Sequence, residues 1–205
     1  MDKMIKDKWR FNLLSHVSGN VLEVGIGTGV NLPFYPVRIQ SLTGVDFSSG
    51  MLKHAQKKVV TGKLPFTVRL IEGDIQALPF PDDSFDYVVS TCVFCSVPDP
   101  LIGFMELQRV CKPTGRIYML EHVRSDQKWV GALMDLLNPL TVRLWGANIN
   151  RETTKNIEKS GLKIVNETRL MGSIFRELCV CPNKEDHLLG INEDDDFQIR
   201  ESSGG

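Results

Sequence analysis

No stretch of the 205-residue chain reaches the roughly 18 consecutive apolar residues that a membrane-spanning helix needs. The first residues, MDKMIKDKWRFNLLSHV, also lack the continuous apolar core of a secretory leader, so a cytoplasmic protein is expected. Clustered lysine and arginine are missing too. The formal net charge of −1 divides unevenly: two basic and seven acidic residues from Lys184 onward put −5 in the tail, which leaves +4 on residues 1–183. That mild excess falls short of a nucleic-acid footprint, yet it suits an anionic ligand or membrane surface. Nor is there an even, closely spaced set of cysteines. Five is an odd number, and Cys92, Cys95, Cys179 and Cys181 sit in hydrophobic runs, which favours reduced thiols and no metal site. Internal repeats and low-complexity segments are absent from the body of the chain.

What is present is an alternation of short apolar runs with longer segments of helical period. NVLEV (20–24), SLTGVDF (41–47), FTVRLIEG (66–73), FDYVVSTC (85–92) and GRIYMLEHV (115–123) read as strands, being β-branched and bounded by turn residues. SSGMLKHAQKKVV reads as a helix capped by Ser48 or Ser49, with Met51, Leu52, Ala55 and Val59 at helical spacing. DPLIGFMELQRVCK reads as another, opened by Asp99-Pro100, with Leu101, Ile102, Met105 and Val110 on about one face. This βαβ rhythm predicts an α/β protein with a mostly parallel, doubly wound sheet. After a further helix over 151–161, LKIVNETRL and SIFRELCVC are joined by the short MGS, which predicts a final antiparallel hairpin and seven strands in all. A single domain over 1–182 is expected, followed by a mobile acidic tail, 183–205.

The stretch VLEVGIGTGVN carries Gly25, Gly27 and Gly29 at alternate positions. A P-loop is excluded because no lysine follows Gly29. A dinucleotide fingerprint needs a glycine where Val30 stands. Glu23, two residues before the first glycine, is an acceptor in an apolar strand and must find donors or a cation. Either it faces a cationic ligand or it caps amides of the loop. Asp46 ends the second strand, where it can accept both ribose hydroxyls, and Asp74 follows the third, where it can accept from an adenine amino group with Ile75 against the ring. Three acids at the carboxyl ends of neighbouring strands mark the place where open α/β sheets bind ligands.

VLEVGIGTG, GVDFSSGMLKHA, EGDIQALPFPDDSFDYVVST and RVCKPTGRIYMLEH resemble, in order, the motifs of class I S-adenosylmethionine-dependent methyltransferases of the ubiquinone/menaquinone-methyltransferase-like branch. The resemblance implies a Rossmann-like sheet of seven strands with the last antiparallel. It implies S-adenosylmethionine as cofactor, with Gly25 and Gly27 near its methionine part, Asp46 on the ribose, Asp74 and Ile75 on the adenine, and Thr91 and Cys92 beneath the sulfonium. Phe47, Met51, Glu23 and Gly29 complete the implied cofactor set. VLEVGIGTGVNLPFYP is similar to bacterial phosphatidylethanolamine N-methyltransferases, while TCVFCSVPDP, MLEHV and NPLTVRLWGANINRET resemble alkyl-thiol methyltransferases.

Methyl transfer from a sulfonium needs alignment and exclusion of water rather than a catalytic triad. An amine, thiol or phenol acceptor must still lose a proton. His122, beside Glu121 at the end of the fifth strand, is the candidate to assist, with Glu121 and Tyr35 behind it; the alternative is a structural hydrogen-bonder. Two segments are candidates for acceptor choice. One is the N-terminal helix expected over 1–18, with Trp9, Leu13 and Val17 aligned amid Lys3, Lys6, Lys8 and Arg10. The other is the apolar insertion at 126–150, either core or a lid. A small-molecule or lipid acceptor is expected, with no nucleic acid, and with peripheral membrane contact through residues 1–18 and 128–145.

Overall fold

The computed structural model describes residues 5–171 and 174–184. Its centre is one seven-stranded sheet made of β1 (Gly19–Val24), β2 (Ile39–Asp46), β3 (Thr67–Glu72), β4 (Phe85–Thr91), β5 (Cys111–His122), β6 (Lys163–Leu170) and β7 (Phe175–Cys181). The spatial order is β3, β2, β1, β4, β5, β7, β6. All neighbours from β3 to β5 pair in parallel, and β7 runs antiparallel between β5 and β6. Chain order reverses between β1 and β4, which opens the crevice where such sheets take ligands. The parallel centre follows from composition: Val21, Leu22, Val24, Val88 and Val89 are all buried, as strands covered on both faces require.

Among the described residues, five α-helices accompany the sheet: α1 (Asp7–Leu14), α2 (Ser49–Thr61), α3 (Pro100–Val110), α4 (Lys128–Trp145) and α5 (Thr153–Lys159). Ser48 caps α2 by accepting from the Met51 amide. Asp99 caps α3 through the Leu101 and Ile102 amides, a cap worth about 1 kcal/mol. The buried face of α3 differs from the expected one. Gly103, Phe104, Leu107 and Val110 turn inward, while Ile102 and Met105 are exposed, because Phe104 stacks on Phe94 with ring centroids 3.8 Å apart.

The N-terminal helix corrects a second expectation. It spans Asp7–Leu14, and Leu13, Leu14 and Val17 enter the core on one side of the sheet with Leu32, Tyr35 and Phe175. Arg10, expected on a basic solvent face, is 1% exposed. The helix is thus docked inward, leaving Phe11 as its exposed large apolar side chain. Residues 1–4, the Gly172-Ser173 part of the expected turn and residues 185–205 of the expected tail lie outside the described residues.

The insertion has two alternatives, core or lid. The core alternative fails for most of α4, whose inward residues are Gly131 and Met134. Trp129, Leu133, Leu136, Leu137, Leu140 and Leu144 follow helical spacing and are all exposed, Trp129 and Leu136 by 72% and 76%. Among the described residues, no helix is long and apolar enough to cross a membrane.

Candidate active site

The glycine loop leaves β1 with Gly25, Gly27 and Gly29 all at positive φ, 63°, 57° and 69°. At Gly27 an added Cβ would meet nothing closer than the Gly25 carbonyl at 3.9 Å. The loop is therefore open to a ligand at that point. Gly29 serves a different purpose. Its Cβ would lie 2.7 Å from Leu32 Cδ1 and 3.3 Å from Ala55, so this glycine lets the loop pack on α2.

Asp46 joins three strand ends. Its Oδ2 accepts from the Gly27 amide at 2.7 Å, its Oδ1 accepts from the Ser48 amide at 2.9 Å, and its carbonyl accepts from the Gly73 amide at 3.1 Å. Each carboxylate oxygen retains acceptor capacity for a hydroxyl. Asp74 accepts from the Gln76 amide at 2.9 Å and from its side-chain nitrogen, and Gln76 Oε1 in turn accepts from the Asp99 amide at 2.8 Å.

Around these groups lies a cavity of about 570 Å³, within the usual range for a small-molecule site. Gly25, Gly27, Asp46, Phe47, Met51, Asp74, Ile75 and Cys92 line it, so eight of the residues implied by the resemblance share one wall. The segment after β4 closes the other side with Val93, Ser96, Val97 and Pro98. Cys92, just before them, adopts φ 55°, which turns the chain sharply off the strand.

Six expected residues are not on this wall. Besides Gly29, Glu23 is buried behind the loop, where Oε1 accepts from Asn31 Nδ2 at 2.7 Å and Oε2 accepts from the Tyr35 hydroxyl at 2.9 Å. These side-chain donors, rather than amides of the loop, hold the carboxylate behind it. The same Asn31 nitrogen donates to Thr91 Oγ1 at 3.0 Å, which turns Thr91 away from the cavity. Tyr35 is a poor base, since burial first and the Glu23 carboxylate second push its phenol well above its ordinary value. Arg10 Nη1 completes this polar cluster by donating to Asn31 Oδ1 at 2.5 Å.

Glu121 and His122 point to opposite sides of β5, as strand alternation requires. Glu121 is fully buried and accepts from Ser90 Oγ at 2.6 Å and, at 3.3 Å each, from the Val93 and Phe94 amides. Burial raises its carboxyl to about 7, against the lowering effect of those donors. It anchors the cavity-lining segment rather than facing the cavity. His122 packs edge-on against Phe175 at 5.2 Å, also off the cavity wall. Desolvation lowers its pKa, and its buried Nδ1 has no hydrogen-bond partner among the described residues.

Arg10, Asn31, Ser90 and the 93–98 segment escaped sequence reasoning. Asn31 had a signal in its place directly after the glycine loop; Arg10, among lysines, had none.

The sheet order, the lone antiparallel strand and a cavity built from Gly27, Asp46 and Asp74 define the class: the chain belongs to the class I S-adenosylmethionine-dependent methyltransferases. The family described as methyltransferase domain matches residues 22–119. More particularly, the chain is similar to the thiol S-methyltransferase TMT1B of Mus musculus, with 34% identity over 86% of this chain and 72% of the relative. It is also 37% identical to a phosphatidylethanolamine N-methyltransferase of Cereibacter sphaeroides, over 60% of this chain and 62% of that one, so it spans under two thirds of that relative's length. The crystal structure of the YcgJ protein from Bacillus subtilis shares the fold, with TM-score 0.68 and 20% identity over 80% of this chain and 73% of that one.

The residues present fit the family's cofactor. Gly27 offers the open backbone, Asp46 and Asp74 offer acceptors, and Ile75 and Met51 offer apolar surface.

Proposed function

We propose that this protein transfers a methyl group from S-adenosylmethionine to a small amphipathic or apolar acceptor, either a phospholipid amine such as phosphatidylethanolamine or an alkyl thiol. The observation that carries this reading is the outward apolar face of α4 joined to the wall of the cavity. Asn138 on α4 bonds to Asn148 at 3.1 Å, and Asn148 donates its backbone and side-chain nitrogens to the Cys95 carbonyl in the cavity-lining segment. Lys128 and Arg143 lie near the two ends of the stripe. A monotopic helix of this pattern lies in a lipid interface, so the acceptor reaches the cavity from a membrane surface without a span. Membrane contact is assigned to α4 alone, because α1 turns Leu13 and Leu14 inward and leaves only Phe11 as an exposed large apolar side chain.

When bound, S-adenosylmethionine supplies an electrophilic methyl on a sulfonium. The chain's own work is positional. Asp46 and Asp74 orient hydroxyl and amino groups, Gly27 admits close approach, and the 93–98 segment, pinned by Glu121, keeps water out. His122, held neutral by burial, is our candidate to take the acceptor's proton, from the Phe175 side of β5 rather than from the wall of the cofactor cavity.

A radiolabelled-methyl screen across phosphatidylethanolamine vesicles, alkyl thiols, quinols and small phenols tests the reading. Turnover on the first two is expected, and turnover on quinols or phenols alone would replace it with C- or O-methylation. Calorimetric titration with the cofactor runs beside it. Asp46→Ala removes the charge-assisted hydrogen bonds from the Gly27 and Ser48 amides and is expected to weaken binding about 100-fold. Equal affinity in the variant would place the cofactor elsewhere.

A further inference from the structure

A second cavity, of about 270 Å³, lies beyond the C-terminal end of β5. We infer that it is an anion subsite that receives the phosphate monoester or diester group of the acceptor. Residues 123–126 after β5, residues 151–155 and Arg176 of β7 line it. Four cations, Arg124, Arg151, Lys155 and Arg176, face two carboxylates, Asp126 and Glu152.

The pairing of these charges leaves one cation over. Arg124 pairs with Asp135 at 2.8 Å, Lys155 with Glu152 at 2.8 Å, and Arg176 with Asp126 at 2.6 Å and with Glu167 at 2.7 Å. Arg151 has no ion-pair partner among the described residues. Its Nη2 donates to the Val97 carbonyl at 2.8 Å, and its Nε, buried, has no hydrogen-bond partner among the described residues. A buried donor left unsatisfied costs free energy, and a guanidinium with spare N–H groups matches the oxygens of a phosphate in a two-point contact. The partnered cations add a positive rim that a second or third phosphate oxygen can use.

Position ties this pocket to methyl transfer. Val97, the acceptor of the Arg151 hydrogen bond, lines the larger cavity. The Arg124 amide donates to the Arg151 carbonyl at 2.9 Å, and Asp135, the partner of the Arg124 side chain, belongs to α4. The pocket therefore sits between the cofactor cavity and a helix with an apolar outer face. A molecule with a phosphate in the pocket, a tail along α4 and a reacting atom near Val97 satisfies all three. A neutral alkyl thiol leaves Arg151 without its counter-ion. This inference rests on the methyl-transfer reading for its link to turnover, though not for anion binding itself.

The test titrates the full chain with inorganic phosphate and, separately, with glycerophosphoethanolamine, in wild type, Arg151→Gln and the more exposed Lys155→Gln. Saturable binding of both compounds is expected in the wild type, about tenfold weaker in Arg151→Gln, as for the loss of one charge-assisted contact, and weaker by a smaller factor in Lys155→Gln. In turnover, Arg151→Gln is expected to raise KM for phosphatidylethanolamine vesicles about tenfold and to leave KM for an alkyl thiol unchanged. Phosphate alone binding, with glycerophosphoethanolamine excluded, would reassign the pocket to a free anion and overturn the acceptor role. No saturable binding at millimolar phosphate, or equal affinity in wild type and both variants, would overturn the subsite. Cofactor titration on the same samples separates this failure from failure of the methyltransferase reading, which alone would abolish cofactor binding in the wild type.

Discussion

Arg10 on the N-terminal helix donates to Asn31 Oδ1 at 2.5 Å, so a residue outside the sheet grips the side chain that holds Glu23 and Thr91 behind the glycine loop. One asparagine thereby couples the docking of α1 to the shape of the loop.

Arg10→Met keeps much of the side-chain volume but removes the buried donor. Asn31 Oδ1 loses its charged partner, and a loss of stability of about 2–4 kcal/mol is expected in denaturant unfolding. Cofactor affinity should fall with it, because the Asn31 side chain is then free to rotate away from Glu23. Full cofactor affinity in a folded variant would show that α1 and the loop are independent.

The glycines separate binding from packing. Alanine at Gly27 meets the strain of a positive φ, about 1–2 kcal/mol, and otherwise intrudes only on the cavity. Alanine at Gly29 meets the same strain and also collides with Leu32 and Ala55. Gly27→Ala is therefore expected to lose more cofactor affinity, and Gly29→Ala more thermal stability. Calorimetric titration and thermal melts on the two variants check the ordering, and the reverse order would refute it.

The β-strand pattern and the glycine spacing were readable in the sequence because each rests on local chemistry: β-branched apolar runs, turn residues that bound them, and a backbone that only glycine allows. Asp46 and Asp74 were readable because they stand at strand ends. The direction of Glu121 and His122 was harder, since adjacent strand residues face opposite sides and only the packing of α1 and the 93–98 segment says what each side contains. The outward face of α4 was illegible for a related reason. A leucine stripe at helical spacing reads the same whether it faces core or solvent, and here the sheet was already covered without it.

Glu121 makes a prediction in pH. Its folded carboxyl lies near 7 against an ordinary 4.5, so the folded state holds its proton more tightly than the unfolded state. Below pH 4.5 the group is protonated in both states and its contribution is fully present. As pH rises through 7 that contribution is lost, by a total on the order of 3 kcal/mol. Subtracting the stability curve of Glu121→Gln from that of the wild type isolates the effect, because the oppositely directed contribution of His122 is common to both. The difference should fall between pH 4.5 and 7 and flatten above; a flat difference throughout would mean that Glu121 ionises freely.

His122 needs a substitution that spares packing. His122→Phe retains an aromatic ring against Phe175 while removing the Nδ1 that has no partner among the described residues, so stability should hold or rise. If His122 takes the acceptor's proton, turnover falls more than about tenfold with cofactor affinity intact. Unchanged turnover would make the imidazole structural.

The face of α4 can be tested without touching the core. Leu136 and Leu140 are exposed and one turn apart, so Leu136→Glu with Leu140→Glu changes no buried contact, and folding stability should stay within about 0.5 kcal/mol of wild type. In a lipid interface each leucine buries apolar area worth about 1.5–3 kcal/mol. Losing two, and placing two carboxylates at the interface, should abolish co-sedimentation with vesicles. Turnover on vesicle phosphatidylethanolamine would fall with it, while turnover on a freely dissolved short-chain alkyl thiol would persist because the 93–98 segment and cavity are untouched. Full vesicle binding by the double variant would mean that the stripe faces something other than lipid.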